Sequence, residues 1–266
     1  MSDFNRQAAI TLFFLSLAVA TSALADTTIV FDDDREPKPS RIQIKDGMVR
    51  MQHADDIASY VIYNAEANEF TVVMPQQQQY MVMNAEQLAK VKQLQLQAIA
   101  RMEEQLKQLP EGQRAQMREM MSQMMPQLSQ NKPLPIRRYE DTGQTDRVHG
   151  FNCRVVHVFR DETLSGEQCV APHQALGISD GDFESLTAMF IFMADIAAQF
   201  SGNVHEMSDL HMALDQGVPV RYKNLQGELK RSGSMREVNN DELDPSLFIV
   251  PDNYQAQSLP DALGNQ

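Results

Sequence analysis

The sequence contains no tryptophan, only two cysteines and six widely spaced histidines among its 266 residues. Zinc sites need cysteine or histidine ligands at short, regular spacings, and nucleotide-binding loops need closely spaced glycines. Neither pattern is present. No catalytic constellation stands out, so we expect a non-enzymatic protein without catalytic residues, a metal site or a cofactor.

Positive charge is also scarce, because 23 lysines and arginines stand against 36 acidic residues and give a net charge of −13. Nucleic acids and anionic membranes repel such a chain, so we expect no nucleic-acid partner. Long apolar runs are missing beyond the first 25 residues. The best candidate, Leu186 to Ala198, is interrupted by Asp195, so stable membrane insertion is not expected.

Residues 1–25 have the order of a secretory signal peptide. An apolar run from residue 8 to residue 20 follows a short polar start, and Ala23-Leu24-Ala25 fits the A-x-A cleavage rule. We therefore predict cleavage between Ala25 and Asp26 and a soluble periplasmic protein.

The two cysteines, Cys153 and Cys169, are expected to form a disulfide, as an even pair usually does in an oxidising compartment. Residues 151–159 and 166–171 both read as strands. If these strands form a hairpin that turns near Asp161, Cys153 lies opposite Cys169 and a bridge is sterically reasonable. A redox-active pair is disfavoured because the C-x-x-C spacing is absent.

Alternating apolar and polar residues predict many short strands. Asp46-Gly47 between two such segments is a strong hairpin signal and starts an antiparallel meander. The strands predicted before residue 84 are 27–31, 41–45, 48–51, 60–63, 69–74 and 80–83. After a turn near Gly143 and the cysteine hairpin, further strands are predicted at 218–222, 228–238 and 246–251.

Helical patterns separate these strands. Asn84 is a suitable helix N-cap, with Gln87 three residues later. An amphipathic stripe follows, which consists of Leu88, Val91, Leu94, Ala98, Met102, Leu106 and Leu109. A second helix from about Gln113 to Met125 completes a helical hairpin. Another helix begins at Ser179 or Asp180 and presents one wide apolar face, made of Phe183, Leu186, Phe190, Met193, Ile196 and Phe200.

These patterns predict an α+β protein, with a curved, half-barrel-like antiparallel sheet, packed helices and an inserted helical hairpin. We expect a single domain over residues 26–258, the insert at 85–133 and a flexible tail at 259–266.

Several short segments resemble an exported bacterial family that is catalogued as a domain of unknown function. They are Lys45 to Arg50, Tyr60 to Met83, Gly150 to Cys153, Val218 to Val220 and Leu247 to Tyr254. This family is distantly similar to the LolA/LppX lipoprotein carriers. The resemblance implies a half-open β-barrel lidded by helices, and it implies no catalytic residues.

A methionine-rich helix suggests two alternative functions. Five methionines, Met117, Met120, Met121, Met124 and Met125, crowd one short segment. Thioethers suit Cu(I), but they also form adaptable surfaces for protein partners. Leu109 to Gln113 is similar to the LTxxQ motif of the Spy/CpxP chaperones, with Pro110 in place of threonine. His205-Glu206 resembles half of a zinc motif, but Asp209 stands where the second histidine belongs.

We therefore expect non-enzymatic binding of an apolar ligand, either a lipid or a lipidated or unfolded chain. The alternatives are a chaperone-like or protein-interaction module that uses the methionine-rich hairpin, and periplasmic Cu(I) binding.

Overall fold

A computed structural model describes residues 26–34, 38–52, 59–108, 110–114, 137–200, 214–225 and 232–258. The predicted signal peptide, the tail 259–266, the five clustered methionines and His205 to Asp209 lie outside these residues. So does most of the second helix predicted for the hairpin. Those predictions remain untested.

Two long helices and twelve strands make up the regular structure of the described residues. The helices are α1 (Ala85–Lys107) and α2 (Asp180–Phe200), and short 3-10 helices span His173–Leu176 and Pro245–Phe248. The strands are β1 (Thr27–Asp33), β2 (Ser40–Lys45), β3 (Met48–Gln52), β4 (Tyr60–Asn64), β5 (Glu69–Met74), β6 (Gln79–Met83), β7 (Arg137–Val148), β8 (Phe151–Arg160), β9 (Thr163–Ala171), β10 (Val218–Asn224), β11 (Ser232–Asn239) and β12 (Gln255–Gln257).

All twelve strands belong to one sheet, in the order β12-β6-β5-β4-β3-β2-β1-β11-β10-β9-β8-β7. Every pairing is antiparallel except that of β12 with β6, which is parallel. The pairing of β1 with β11 joins two meanders, one formed by β1 to β6 and the other by β7 to β11. The predicted α+β class with a large antiparallel sheet is therefore confirmed.

Local turn chemistry explains the accurate strand limits in the first meander. Asp46 and Gly47 connect β2 to β3 with positive φ angles of 47° and 77°. A two-residue turn of this kind matches the right-handed twist of the flanking strands. The signal is local, so it could be read from the sequence.

Two predicted features after residue 137 were wrong. Gly143 does not end a strand, because β7 continues past it and a register shift between Asp141 and Thr145 accommodates the extra residues. Residues 245–248 form a 3-10 helix instead of a strand. Pro245 opens this helix, and the Asp244 carboxylate accepts a hydrogen bond from the Ser246 backbone N–H over 2.9 Å.

Cys153 and Cys169 form the predicted disulfide, with their Cα atoms 5.4 Å apart. Cys169 pairs with Val155 and not with Cys153, so the bridge runs diagonally between β8 and β9. The turn consists of Asp161 and Glu162, and a register shift follows it. Together they displace the two strands from the register that a turn centred on Asp161 would give.

Candidate functional site

One face of β2 to β6 is apolar in two adjacent rows of cross-strand pairs. The first row, which we call the buried row, consists of Ile44, Val49, Tyr63 and Phe70, paired in that order. Each of these side chains is at most 2% exposed. Strand side chains alternate between faces, so this row defines the core side of the first meander.

Helix α2 packs over the buried row. The ring of Phe192 lies 5.6 Å from that of Phe70 and 6.1 Å from that of Tyr63. Leu186, Met189 and Phe190 are also buried. Offset and tilted aromatic pairs at these separations add to the free energy gained by burial.

The second row, which we call the apolar stripe, lies beside the buried row and remains partly exposed. It consists of Ile42, Met51, Val61, Val72 and Met81, which pair directly across five adjacent strands. None of these side chains carries a charge or a hydrogen-bonding group. Contiguous apolar surface on a sheet is typical of ligand or partner sites.

The start of α2 is tied to β1, which positions the helix relative to the stripe. Ser179 caps the helix by accepting a hydrogen bond from the Asp182 backbone N–H at 3.1 Å. The Thr27 hydroxyl donates to the Asp182 carboxylate at 2.6 Å. Burial raises the pKa of Asp182, although side-chain hydrogen bonds from Thr27 and Ser179 to its carboxylate oppose the shift.

A second polar cluster holds the beginning of β1 in place. The Asp26 carboxylate accepts from Lys45 Nζ at 2.7 Å and from the Leu243 backbone N–H at 2.6 Å. The Asn240 amide donates to the Asp26 carbonyl oxygen at 3.3 Å. Asp26 is buried, so residues far apart in sequence pair its charge and satisfy its polar atoms.

An aromatic pair lies near the β1 end of the face that carries the apolar stripe. The ring centroids of Phe31 and Tyr222 are 6.4 Å apart, and the Tyr222 hydroxyl donates to the Asp33 carboxylate at 2.6 Å. The Tyr222 ring lies so close to Gly233 that a Cβ there would approach it to 2.6 Å. A side chain at position 233 would therefore displace the Tyr222 ring from its place beside β11.

Helix α1 packs on the protein at its first turns and again near its end, where Leu106 is 6% exposed. Asn84 accepts a hydrogen bond from the Gln87 backbone N–H, as predicted, and Leu88 and Val91 are buried. Farther along, Leu94 is 50% exposed and Leu96 is 58% exposed. The predicted stripe is therefore confirmed at Leu88, Val91 and Leu106. It was wrong at Leu94 and Ala98, which both face solvent.

No nucleophile elbow was expected from the sequence, but Ser179 has the G-x-S-x-G spacing of one, in the segment Gly177 to Gly181. An elbow joins a strand to a helix and exposes the serine. Here a 3-10 helix precedes the segment, and Ser179 caps α2. Among described residues, His173 bonds Asp180 at 2.7 Å and stacks on Phe183, and no hydrogen bond joins it to Ser179. This serine therefore has a structural role.

The described part of the chain offers no cluster of three or more histidine, cysteine, aspartate or glutamate side chains that could hold a metal ion. None of the helices in that part is long and apolar enough to span a membrane. The methionines proposed for Cu(I) are not among the described residues, so copper binding stays a prediction.

No protein-family model matches the chain, and no curated protein matches it. Among solved structures 19 chains match, and one of them is entitled "Structure of PNGF-II in C2 space group". It is 10% identical, with a TM-score of 0.40, over 90% of this chain and 32% of that chain. This chain therefore spans about a third of the length of that protein. A likeness at this level assigns neither a family nor an activity.

Proposed function

We propose that this chain is an exported, non-enzymatic protein that binds an apolar ligand, such as a lipid or a lipidated chain, on the apolar stripe. The observation that carries the proposal is the partial exposure of all five stripe residues beside a row that α2 buries completely. A helix that covers one row of a sheet and leaves the next partly exposed creates an apolar step where a chain-like ligand can lie.

The dimensions of the stripe suit such a ligand. Five adjacent strands are separated by four spacings of about 4.8 Å, so the stripe is roughly 19 Å long. This length is close to that of an extended long-chain fatty acyl group. Met51 and Met81 are flexible and polarizable, and they can adapt to a ligand without a fixed shape.

A pair of neighbouring residues on β5 provides the test. Val72 belongs to the stripe, whereas Thr71 is partly exposed on the opposite face. We expect Val72→Asp to weaken binding of the uncharged probe N-phenyl-1-naphthylamine at least tenfold, because a carboxylate in the stripe would have to be desolvated. Thr71→Asp should bind as the original chain does. Equal binding by both variants, or no binding by the original chain, would refute the site.

Native mass spectrometry of the chain purified without detergent complements this assay. A lipid-sized adduct that is retained by Thr71→Asp and lost by Val72→Asp would identify the class of ligand. A clean mass for the original chain would count against a tightly held lipid.

The exposed middle of α1 favours a second candidate, a protein-interaction module. Leu94 and Leu96 are exposed, and Lys90 pairs with the neighbouring Glu86 at 2.7 Å. We expect Leu94→Ser combined with Leu96→Ser to abolish suppression of a client's aggregation if this helix binds unfolded chains. The matched control is Ala98→Ser, also on exposed helix surface. If the leucine variant suppresses aggregation as well as the control, this candidate fails.

A further inference from the structure

The face of β2 to β4 opposite the apolar stripe carries a group of polar side chains around Arg50. Arg50 pairs with Gln43, and Arg41 pairs with Gln52, so these four residues share one face of β2 and β3. Tyr60 on β4 lies on the same face, because the Arg50 guanidinium stacks over the Tyr60 ring, with its Cζ atom 4.3 Å from the ring centroid.

Arg50 is held firmly but lacks a counter-ion among the described residues. Its two terminal nitrogens donate to the amide oxygens of Gln43 at 3.0 Å and Gln52 at 2.9 Å. Its Nε is enclosed and has no hydrogen-bond partner. Burial lowers the pKa of Arg50, which is the direction expected when no carboxylate compensates the desolvation of a guanidinium.

The polar groups around Arg50 are donors, and its cross-strand neighbour on β4 is the buried Ile62. Gln43 and Gln52 use their amide oxygens as acceptors for Arg50, which leaves the amide NH2 groups to donate. Arg41 adds a second guanidinium, exposed and in register with Gln52. In a chain with a net charge of −13, two arginines without a described carboxylate partner on one small surface form a local positive site.

We propose that this surface, the Arg50 site, binds a tetrahedral oxyanion such as a phosphate group. The guanidinium of Arg50 is fixed by two amides and a tyrosine ring, and each of its terminal nitrogens keeps one further N–H group that can donate to an oxyanion. The donors on β2 and β3 outnumber the two oxygens of a carboxylate, so an anion with more oxygens can use more of them. The anion supplies the negative counter-charge that Arg50 lacks among the described residues. It binds on the face of the sheet opposite the apolar stripe.

Thermal unfolding and calorimetry with inorganic phosphate, at ionic strength held constant with sodium chloride, test this site. Phosphate should raise the melting temperature and bind the original chain, whereas acetate should bind much more weakly. Arg50→Met should weaken phosphate binding at least tenfold. Arg147→Gln removes an equal charge from an exposed position outside the site and should leave binding unchanged. Glycerol 3-phosphate, run in parallel, distinguishes free phosphate from a phosphate ester.

Two further measurements keep the proposal falsifiable if Arg50→Met does not fold. Phosphate should shift the NMR signals of the Arg50 Nη–H groups in the original chain, and Arg41→Gln should weaken that response. Asp55 and Asp56 follow β3 in the sequence. If phosphate binds only after both are changed to asparagine, the chain supplies its own counter-ion and the proposal is wrong. It is also wrong if neither phosphate compound binds, or if Arg50→Met binds as the original does.

Discussion

The packing of α2 on the sheet makes a quantitative prediction at Phe192. This side chain is 6% exposed and contacts the rings of Phe70 and Tyr63. Phe192→Ala removes the ring, and the helix cannot close the resulting cavity because neighbouring side chains also anchor it. Buried phenylalanine-to-alanine changes cost about 3–5 kcal/mol, and the loss of two aromatic contacts places this change toward the upper part of that range.

Ile191 is the matched control, because it precedes Phe192 on the same helix and is 42% exposed. Ile191→Ala should cost about 0.5 kcal/mol, which is typical of surface positions. Guanidinium unfolding, followed by circular dichroism at a single temperature, gives the free energy of unfolding of both variants and of the original chain.

The difference between the two variants is the decisive result. If Phe192→Ala destabilises the protein no more than Ile191→Ala does, Phe192 does not pack on the buried row. The boundary between the buried row and the apolar stripe would then be wrong, and the proposed ligand site would lose its basis.

Three further predictions concern stability. Replacing Cys153 and Cys169 by alanine should lower the free energy of unfolding by about 3 kcal/mol, measured by denaturation, because their separation of 16 residues sets the loop-closure entropy; an unchanged midpoint would contradict this. Burial raises the pKa of Asp182, so its contribution to stability is present below its unfolded pKa of about 4 and is lost as the pH rises through its folded pKa. The free energy of unfolding of Asp182→Asn should therefore depend less steeply on pH above about 4. A pH profile identical to that of the original chain would count against the raised pKa. Asn84→Ala should cost about 1 kcal/mol by removing the cap bond to Gln87, whereas Gln93→Ala, an exposed change in the same helix, should cost little.

The elements that could be predicted accurately are those with short-range causes. Strand β5 has the predicted limits, Glu69–Met74, because its alternation and its flanking turns lie within a few residues of one another. The Asn84 cap was also predicted, since its bond to Gln87 closes over three residues. The errors occur where two readings of the same local pattern compete. The apolar run 246–251 looks like a strand, but Asp244 and Pro245 begin a 3-10 helix there.

The candidate sites were less accessible to sequence reasoning. Alternation shows that Arg50 and Val49 point to opposite faces. The polar residues Gln43 and Gln52 were a signal that the face with Arg50 is polar. That signal does not show that Arg50 lacks a carboxylate partner in the described structure. Similarly, Met51 and Val61 were recognisable as apolar strand residues, but not as a partly exposed row.

The sequence by itself determined the α+β class, the antiparallel meander, the start of α1 and the pairing of the two cysteines, because these depend on local periodicity, caps, turns and the small number of thiols. The tertiary structure decided the rest. The diagonal register of the disulfide follows from a turn and a register shift, and the position of α2 follows from contacts between residues as distant as Thr27 and Asp182. Those long-range contacts bury one apolar row and leave the next partly exposed, which is why only the fold reveals the stripe on which we propose that a ligand binds.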